Sequence, residues 1–221
     1  MYPICLNIAG KKCLVVGGGA VAHRKVRGLL TEGATVRVIA PEVCPQLENL
    51  ADEGKIELLQ REYLRGDTEG AVLIFAATDN RGVQESVRAE ALESGRLFNI
   101  ADDPLGCSFQ VPAVVRQGDL LISVSTNGKS PALAAMVRKQ LEGEFGEEYR
   151  ELLAIITRLR QELKGSPDSY PERRKLFEEI LHPDIVEWLR LGRTDLLSAH
   201  ISGVLGSDYN MDLSWIEEKR T

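Results

Sequence analysis

Two rhythms of apolar and polar positions alternate through the first half of the chain. Lys12 to Val16 is a short apolar run, too brief for a helix, and it ends at Gly17-Gly18-Gly19. Beyond the glycines, Ala22, Val26, Leu29 and Leu30 recur at helical spacing, and Gly33 supplies a stop. Ala34 to Ala40 is rich in β-branched residues and closes at Pro41, and Ile56 to Leu59 reads as a weaker strand. Ala71 to Ala77 is apolar at every position, as expected of a central parallel strand covered on both faces. A helix is predicted from about Gly82 to Glu93, stopped by Gly95, with Leu97 to Ile100 as the next strand. Alternating units of this length imply the α/β class: a Rossmann-like doubly wound parallel sheet with ligand at the carboxyl ends of its strands.

The pattern then changes. Phe109 to Arg116, a Gln117-Gly118-Asp119 turn and Leu120 to Ser125 read as an antiparallel hairpin. Thr126 to Pro131 is a turn that starts a helix, with Ser130 as N-cap and Pro131 at its first position. Beyond about Glu147 the chain reads as helical. Leu152, Leu153, Ile156 and Leu159 form one apolar stripe, and Leu176, Ile180, Ile185, Trp188 and Leu189 suggest two short helices broken at Pro183. Gly165-Ser166-Pro167-Asp168 is expected to be a loop between helices. The expected organisation is therefore a nucleotide-binding Rossmann domain over 1–112, a small hairpin-helix element over 113–146 and an α-helical C-terminal region over 147–221.

Composition narrows the function classes. An apolar fraction of 43% and a charged fraction of 27% are those of an ordinary globular protein. The net charge of −6 argues against a broad nucleic-acid surface, though a local basic pocket stays open. The four cysteines lack C-x-x-C spacing, and three lie in or beside apolar stretches, as reduced core thiols would. No apolar run reaches the ~18–20 residues that span a bilayer. No basic segment followed by an apolar one opens the chain, so a cytoplasmic protein is expected.

The strongest chemical signal is the G-x-G-x-x-A turn from Gly17 to Ala22, between strand and helix. There, backbone N–H groups can close on a pyrophosphate at the positive end of the helix dipole. Gly17 allows the tight turn, Gly19 the close approach, and Ala22 the packing of helix on sheet; Ala20 and Val21 complete the cradle. A ribose-binding acid is expected at the end of the second strand, but Ala40-Pro41 stands there with Glu42 just beyond. Arg37, a candidate for a 2′-phosphate, is mid-strand and reads better as a solvated charge.

Asp102 and Asp103 follow a predicted strand end, where a general base or a metal-facing acid would stand. Asp-Asp-Pro is equally an ordinary loop sequence. Thr78-Asp79-Asn80 either lines the cofactor cleft or caps the next helix. His23, Arg24 and Lys25 read as one solvated face. His182 and His200 have no Cys or second His near them in sequence, and neither a zinc-site spacing nor a nucleophile elbow occurs, so no resident metal is expected.

Five ordered motifs carry a family resemblance. They are Val15-Val16-Gly17-Gly18-Gly19-x-Val21-Ala22-x-Arg24-Lys25, Ala76-Ala77-Thr78-Asp79, Asn99-Ile100-x-Asp102, Ser108-Phe109-x-x-Pro112 and Val124-Ser125-Thr126-x-Gly128-x-Ser130-Pro131. Together they resemble the precorrin-2 dehydrogenase / sirohydrochlorin ferrochelatase family, the N-terminal module of siroheme synthases. The resemblance is close over about residues 1–145 and looser over the helical tail. Ending at 221 residues, the sequence is expected to lack the methyltransferase module of the fused enzymes.

The resemblance implies NAD⁺-dependent loss of a hydride and a proton from precorrin-2, giving sirohydrochlorin, with ferrous iron inserted afterwards in bifunctional members. It places the family's essential aspartate on Asp102, where a carboxylate can take the proton; the residues themselves offer Gly17, Gly19, Ala20, Val21, Ala22, Pro41, Glu42 and Thr78 for NAD, with either Glu42 or backbone groups at the ribose. Thr126 stands where the family carries a phosphorylatable serine. A substrate with eight carboxylates needs cations, for which Arg116, Lys129, Arg138 and Lys139 are candidates; Asp103 and Thr126 complete the substrate set. The resemblance also implies a homodimer built on the hairpin-helix element, with Leu133, Met136, Val137 and Leu141 available for the interface or for the core. Three readings stand here: the dehydrogenase with iron insertion, the dehydrogenase with a separate chelatase, and a non-catalytic nucleotide-sensing dimer.

Overall fold

The computed structural model of the 221-residue chain describes residues 1–103, 106–165, 170–206, 209 and 211–218. The chain divides into two compact units, residues 1–111 with 127–129, and residues 112–126 with 130–221.

The first unit is a five-stranded parallel sheet of β1 (Lys12–Val16), β2 (Thr35–Ile39), β3 (Ile56–Leu59), β4 (Leu73–Ala76) and β5 (Leu97–Ile100), in the order β3-β2-β1-β4-β5. Helices α1 (Ala20–Thr31) and α2 (Pro45–Asp52) cover one face and α3 (Arg81–Glu93) the other. Alternation along each strand sorts the side chains. Cys13, Val15, Val38 and Phe75 pack with Ala22 and Val26 of α1. Leu14, Val16, Ile74, Ala76, Phe98 and Ile100 pack with Val87 and Ala91 of α3. Burial on both sides is why β1 and β4 read as continuous apolar runs. Each Val, Leu, Ile or Phe side chain among them adds about 1.5–3 kcal/mol by leaving water.

Several boundaries differ from those expected. The central run shortens to Leu73–Ala76, because Val72 turns outward and is exposed. Helix α2 has no counterpart among the expected elements; its periodicity is carried by Leu47 alone as a buried position. The hairpin strands are β6 (Ala113–Gln117) and β7 (Leu120–Val124), so the first begins later than Phe109. Phe109 belongs instead to the first unit, packed edge-on against Phe75 with ring centroids 5.3 Å apart. Just before it, Ser108 pairs with Phe98 through both backbone and hydroxyl, which closes the free edge of β5.

In the second unit α4 (Pro131–Glu144) packs on the β6–β7 hairpin. Ser130 caps it by accepting from the Leu133 N–H, with Pro131 at its first position, as the sequence predicts. Helices α5 (Glu148–Glu162), α6 (Tyr170–Ile180), α7 (Ile185–Arg190), α8 (Thr194–Leu205) and α9 (Ser214–Glu218) share a core of Leu152, Ile155, Ile156, Leu159, Ile180, Leu189, Leu197 and Ile201. The break at Pro183 falls between α6 and α7 as expected. The loop expected at Gly165 to Asp168 lies outside the described residues, except for Gly165, which ends a single 3-10 turn. Among the described residues no helix is long and apolar enough to cross a membrane.

Candidate active site

Strand order reverses between β1 and β4, since the chain leaves β1 towards β2 and returns on the opposite side of it. Ligands of open α/β sheets bind outside the carboxyl ends at such a switch point. In register, Val16, Ala76 and Ile100 are the last residues of β1, β4 and β5. Gly17, Ala77 and Ala101 therefore leave the sheet side by side.

Each glycine of the turn has a different reason to be glycine. Gly17 has φ +126°, and a Cβ there would sit 2.6 Å from the Ala77 carbonyl carbon. At Gly18 a Cβ would meet Val43 Cα at 2.8 Å, and the Gly18 carbonyl accepts from the Cys44 N–H at 2.8 Å. That packing brings Pro41 and Glu42, both exposed, beside the turn. A methyl group added at Gly19 would meet nothing within 4 Å, so this position opens outward. Gly19 is also the N-cap of α1; it supplies no side chain, and no acid stands in the first turn. The first intrahelical bond runs from the His23 N–H to the Gly19 carbonyl, leaving the amides of Ala20, Val21 and Ala22 without helical acceptors. Open space, outward amides and the positive dipole end fit a pyrophosphate.

Two strands along the same edge is Asp102. It is exposed and has φ +64°, a left-handed conformation that costs a non-glycine residue about 1–3 kcal/mol. Two strand spacings separate Gly17 from Ala101, roughly 10 Å. Asp103, expected to face substrate, does something else. Its carboxylate forms an ion pair with Arg88 of α3 and accepts from the Gly106 N–H at 3.0 Å. The Arg88 hydrogen bond holds the Asp103 carboxyl below its ordinary pKa.

Thr78 serves the start of α3: its hydroxyl accepts from the Asn80 N–H at 3.2 Å, and its carbonyl accepts from Gln84 at 2.6 Å. Asn80 in turn caps α3 through the Val83 N–H, so Thr78 and Asn80 both serve the start of that helix. Arg37 is bound fork-to-fork by Glu57 on the neighbouring strand, at 2.7 and 2.8 Å, and so is not a free cation for a 2′-phosphate. In the second unit Arg116 is exposed on β6, and the Thr126 hydroxyl both accepts from the Ser130 N–H and donates to the Ser130 carbonyl, each at 3.0 Å. Lys129 is exposed and groups with the first unit, while Arg138 is paired with Glu142.

With this geometry in view, the comparisons with known proteins are specific. A family model described as putative NAD(P)-binding matches residues 4–113, and one described as sirohaem biosynthesis protein central matches residues 117–144. A siroheme synthase of Pseudomonas aeruginosa (strain LESB58) is 37% identical over 207 residues, covering 92% of this chain and 44% of the relative. One from Nitrosococcus oceani is 38% identical over 193 residues, covering 87% of this chain and 41% of the relative. This chain belongs to the siroheme synthase family. It spans less than half the length of these two relatives. Among solved structures, SirC, a precorrin-2 dehydrogenase, superposes with a TM-score of 0.78 at 26% identity, covering 92% of this chain and all of that one.

Four residues near the site escape a reading of the sequence. Gly18 is one, required by the close approach of the 42–43 backbone. Lys25 is another: it is half-buried, with its Nζ 5.4 Å from the centre of the Phe75 ring, rather than on a solvated face. Burial, and then Arg24, lower its pKa. Arg88 and Cys107 are the others: Arg88 reaches the loop after β5 from α3, and Cys107 folds back across that loop. Cys107 is no plain core thiol: its sulfur accepts from the Ile100 N–H at 3.1 Å and donates to the Asp103 carbonyl at 3.0 Å. The histidines differ too, since folding sets the His182 and His200 rings 5.3 Å apart around Trp188.

Proposed function

We propose that this chain oxidises precorrin-2 to sirohydrochlorin, with NAD⁺ as the hydride acceptor, in the biosynthesis of siroheme. The observation that carries the reading is the placement of the open glycine cradle and the exposed, left-handed Asp102 on one sheet edge, in a chain of the siroheme synthase family. When bound, NAD⁺ supplies the hydride-accepting ring. The amides of Gly19 to Ala22 hold the pyrophosphate, and Gly17 and Gly18 shape the turn that presents them. Pro41 and Glu42 lie beside that turn, where the ribose would sit, and Arg37 is occupied by Glu57; both favour NAD over NADP.

Asp102 takes the proton that leaves the tetrapyrrole as the hydride departs, and its exposure lets it pass that proton to water. If iron is inserted, the same carboxylate would receive the displaced pyrrole protons. Arg116 and Lys129 are offered as partners for the substrate carboxylates, and Thr126 as a shaper of the turn before α4. Leu133 and Met136 of α4, 46% and 53% exposed, support a homodimer built on the hairpin-helix element. A cytoplasmic location goes with this reading, because all four cysteines are free thiols.

The test is an anaerobic assay with precorrin-2 and NAD⁺, with and without ferrous iron. Sirohydrochlorin absorbance is expected to rise without metal. Asp102→Asn is expected to lower turnover by about 10²–10⁴-fold with NAD⁺ affinity unchanged. Normal turnover in that variant would remove Asp102 from the chemistry. A metal-dependent spectral shift faster than the spontaneous rate would add iron insertion.

A further inference from the structure

Asp102 stands in a conformation that its own side chain does nothing to hold. Aspartate in the left-handed region can be held there by a local hydrogen bond that its carboxylate accepts. Among the described residues the Asp102 carboxylate has no hydrogen-bond or ion-pair partner, so its backbone must be set by what flanks it. On the upstream side, the Ala101 N–H donates to the Ala76 carbonyl at 2.9 Å and continues the β4–β5 ladder one residue past the strands.

The downstream side is fixed from three directions. Arg88 reaches from α3 to the Asp103 carboxylate, and both side chains are partly shielded, at 25% and 38% exposed. The other Asp103 carboxylate oxygen accepts from the Gly106 N–H at 3.0 Å. A Cβ at Gly106 would lie 2.5 Å from an Arg88 nitrogen, so glycine is what lets the pair close over the backbone. Behind the turn, the Cys107 sulfur spans it, accepting from Ile100 and donating to the Asp103 carbonyl. Burial raises the Cys107 pKa, which keeps the S–H that this donation needs. Arg88 itself is anchored on a helix whose first turn is capped by Asn80.

We propose that Asp103, Arg88 and Cys107 form a latch that holds Asp102 in its left-handed conformation, acting as positioning residues for proton transfer rather than as contacts to the substrate. The proposal rests on the dehydrogenase reading for its catalytic readout and on the turn geometry alone for its structural one. A carboxylate displaced by an ångström loses about 10²-fold in rate, so a loosened latch is read in kcat.

The experiment compares Arg88→Met, Asp103→Asn, the double variant, Cys107→Ala and Cys107→Ser. Each of the first four is expected to lower kcat about tenfold or more, with NAD⁺ affinity unchanged. The double variant is expected to be no worse than Asp103→Asn alone, because both changes open one latch. Cys107→Ser keeps a donor and an acceptor and should recover part of the loss seen with alanine. Multiplying losses in the double variant, or a rise in KM with kcat intact, would make Asp103 a substrate contact and overturn the latch.

Amide exchange at Ile100 and Gly106, followed by NMR, provides the readout that does not depend on activity. It should accelerate in Cys107→Ala and Asp103→Asn respectively. Equal exchange in wild type and variants refutes the latch. A wild-type chain inert towards precorrin-2 with both amides protected refutes the dehydrogenase reading and leaves the latch supported.

Discussion

Alanine at Gly17 and alanine at Gly19 should separate folding from cofactor binding within one turn. At Gly17, φ +126° lies where an L side chain is strained, at about 1–3 kcal/mol. The added methyl would also sit 2.6 Å from the Ala77 carbonyl carbon, and relieving such an overlap in a packed interior costs about 1–3 kcal/mol more. The two terms add to about 2–6 kcal/mol. For a unit of this size each kcal/mol moves Tm by about 4 °C, so Gly17→Ala should melt at least about 8 °C early. At Gly19, φ −85° suits any residue and nothing lies within 4 Å, so only the N-cap preference is lost, about 0.5–1 kcal/mol. Its methyl occupies the space a pyrophosphate needs, and NAD⁺ should bind about tenfold or more weakly, a loss of ~1.4 kcal/mol. Circular dichroism melts and calorimetric NAD⁺ titrations measure the two effects. If Gly17→Ala melts within about 3 °C of wild type, the strain argument fails. If Gly19→Ala binds NAD⁺ normally, the pyrophosphate is not where the open space places it.

Stability should change little between about pH 7 and pH 5 and fall as the pH drops through the carboxylate range. Asp67 and Asp103 are held low chiefly by hydrogen bonds from Arg61 and Arg88. Burial would raise Glu90, but bonds from Thr68, Tyr63 and Gly66 outweigh it and leave it lowered. Depressed folded-state values stabilise above the unfolded pKa, and that contribution disappears as protons bind the native carboxylates. Urea midpoints at pH 7, 5, 4 and 3 follow this, and a midpoint unchanged down to about pH 3 would refute it. Separately, Met136→Asp puts a charge on the exposed apolar face of α4 and should give a monomer by light scattering, whereas an unchanged mass would move the interface elsewhere.

What the sequence determined by itself is whatever local chemistry encodes. Lys12–Val16, Ile56–Leu59 and Leu97–Ile100 form strands at the bounds their short runs predict; in Lys12–Val16 burial on both faces leaves no polar position after Lys12. Ser130 and Pro131 announce α4 through cap chemistry, and the glycine turn is legible because its backbone needs are met by residue types that nothing else requires. Asp102 was legible from its place at a strand end and from the motif around it.

The partners of these residues were decided only in three dimensions. Arg37 finds Glu57 across strands, Arg88 finds Asp103 from a helix on the sheet's other face, Lys25 turns onto Phe75, and His182 meets His200 around Trp188. No local pattern marks these pairs, since their members lie many residues apart and each reads alone as a solvated charge or a lone ring. Sequence thus sets where a turn must bend and where a carboxylate stands. Tertiary packing decides which carboxylate stays exposed and which is tied to an arginine.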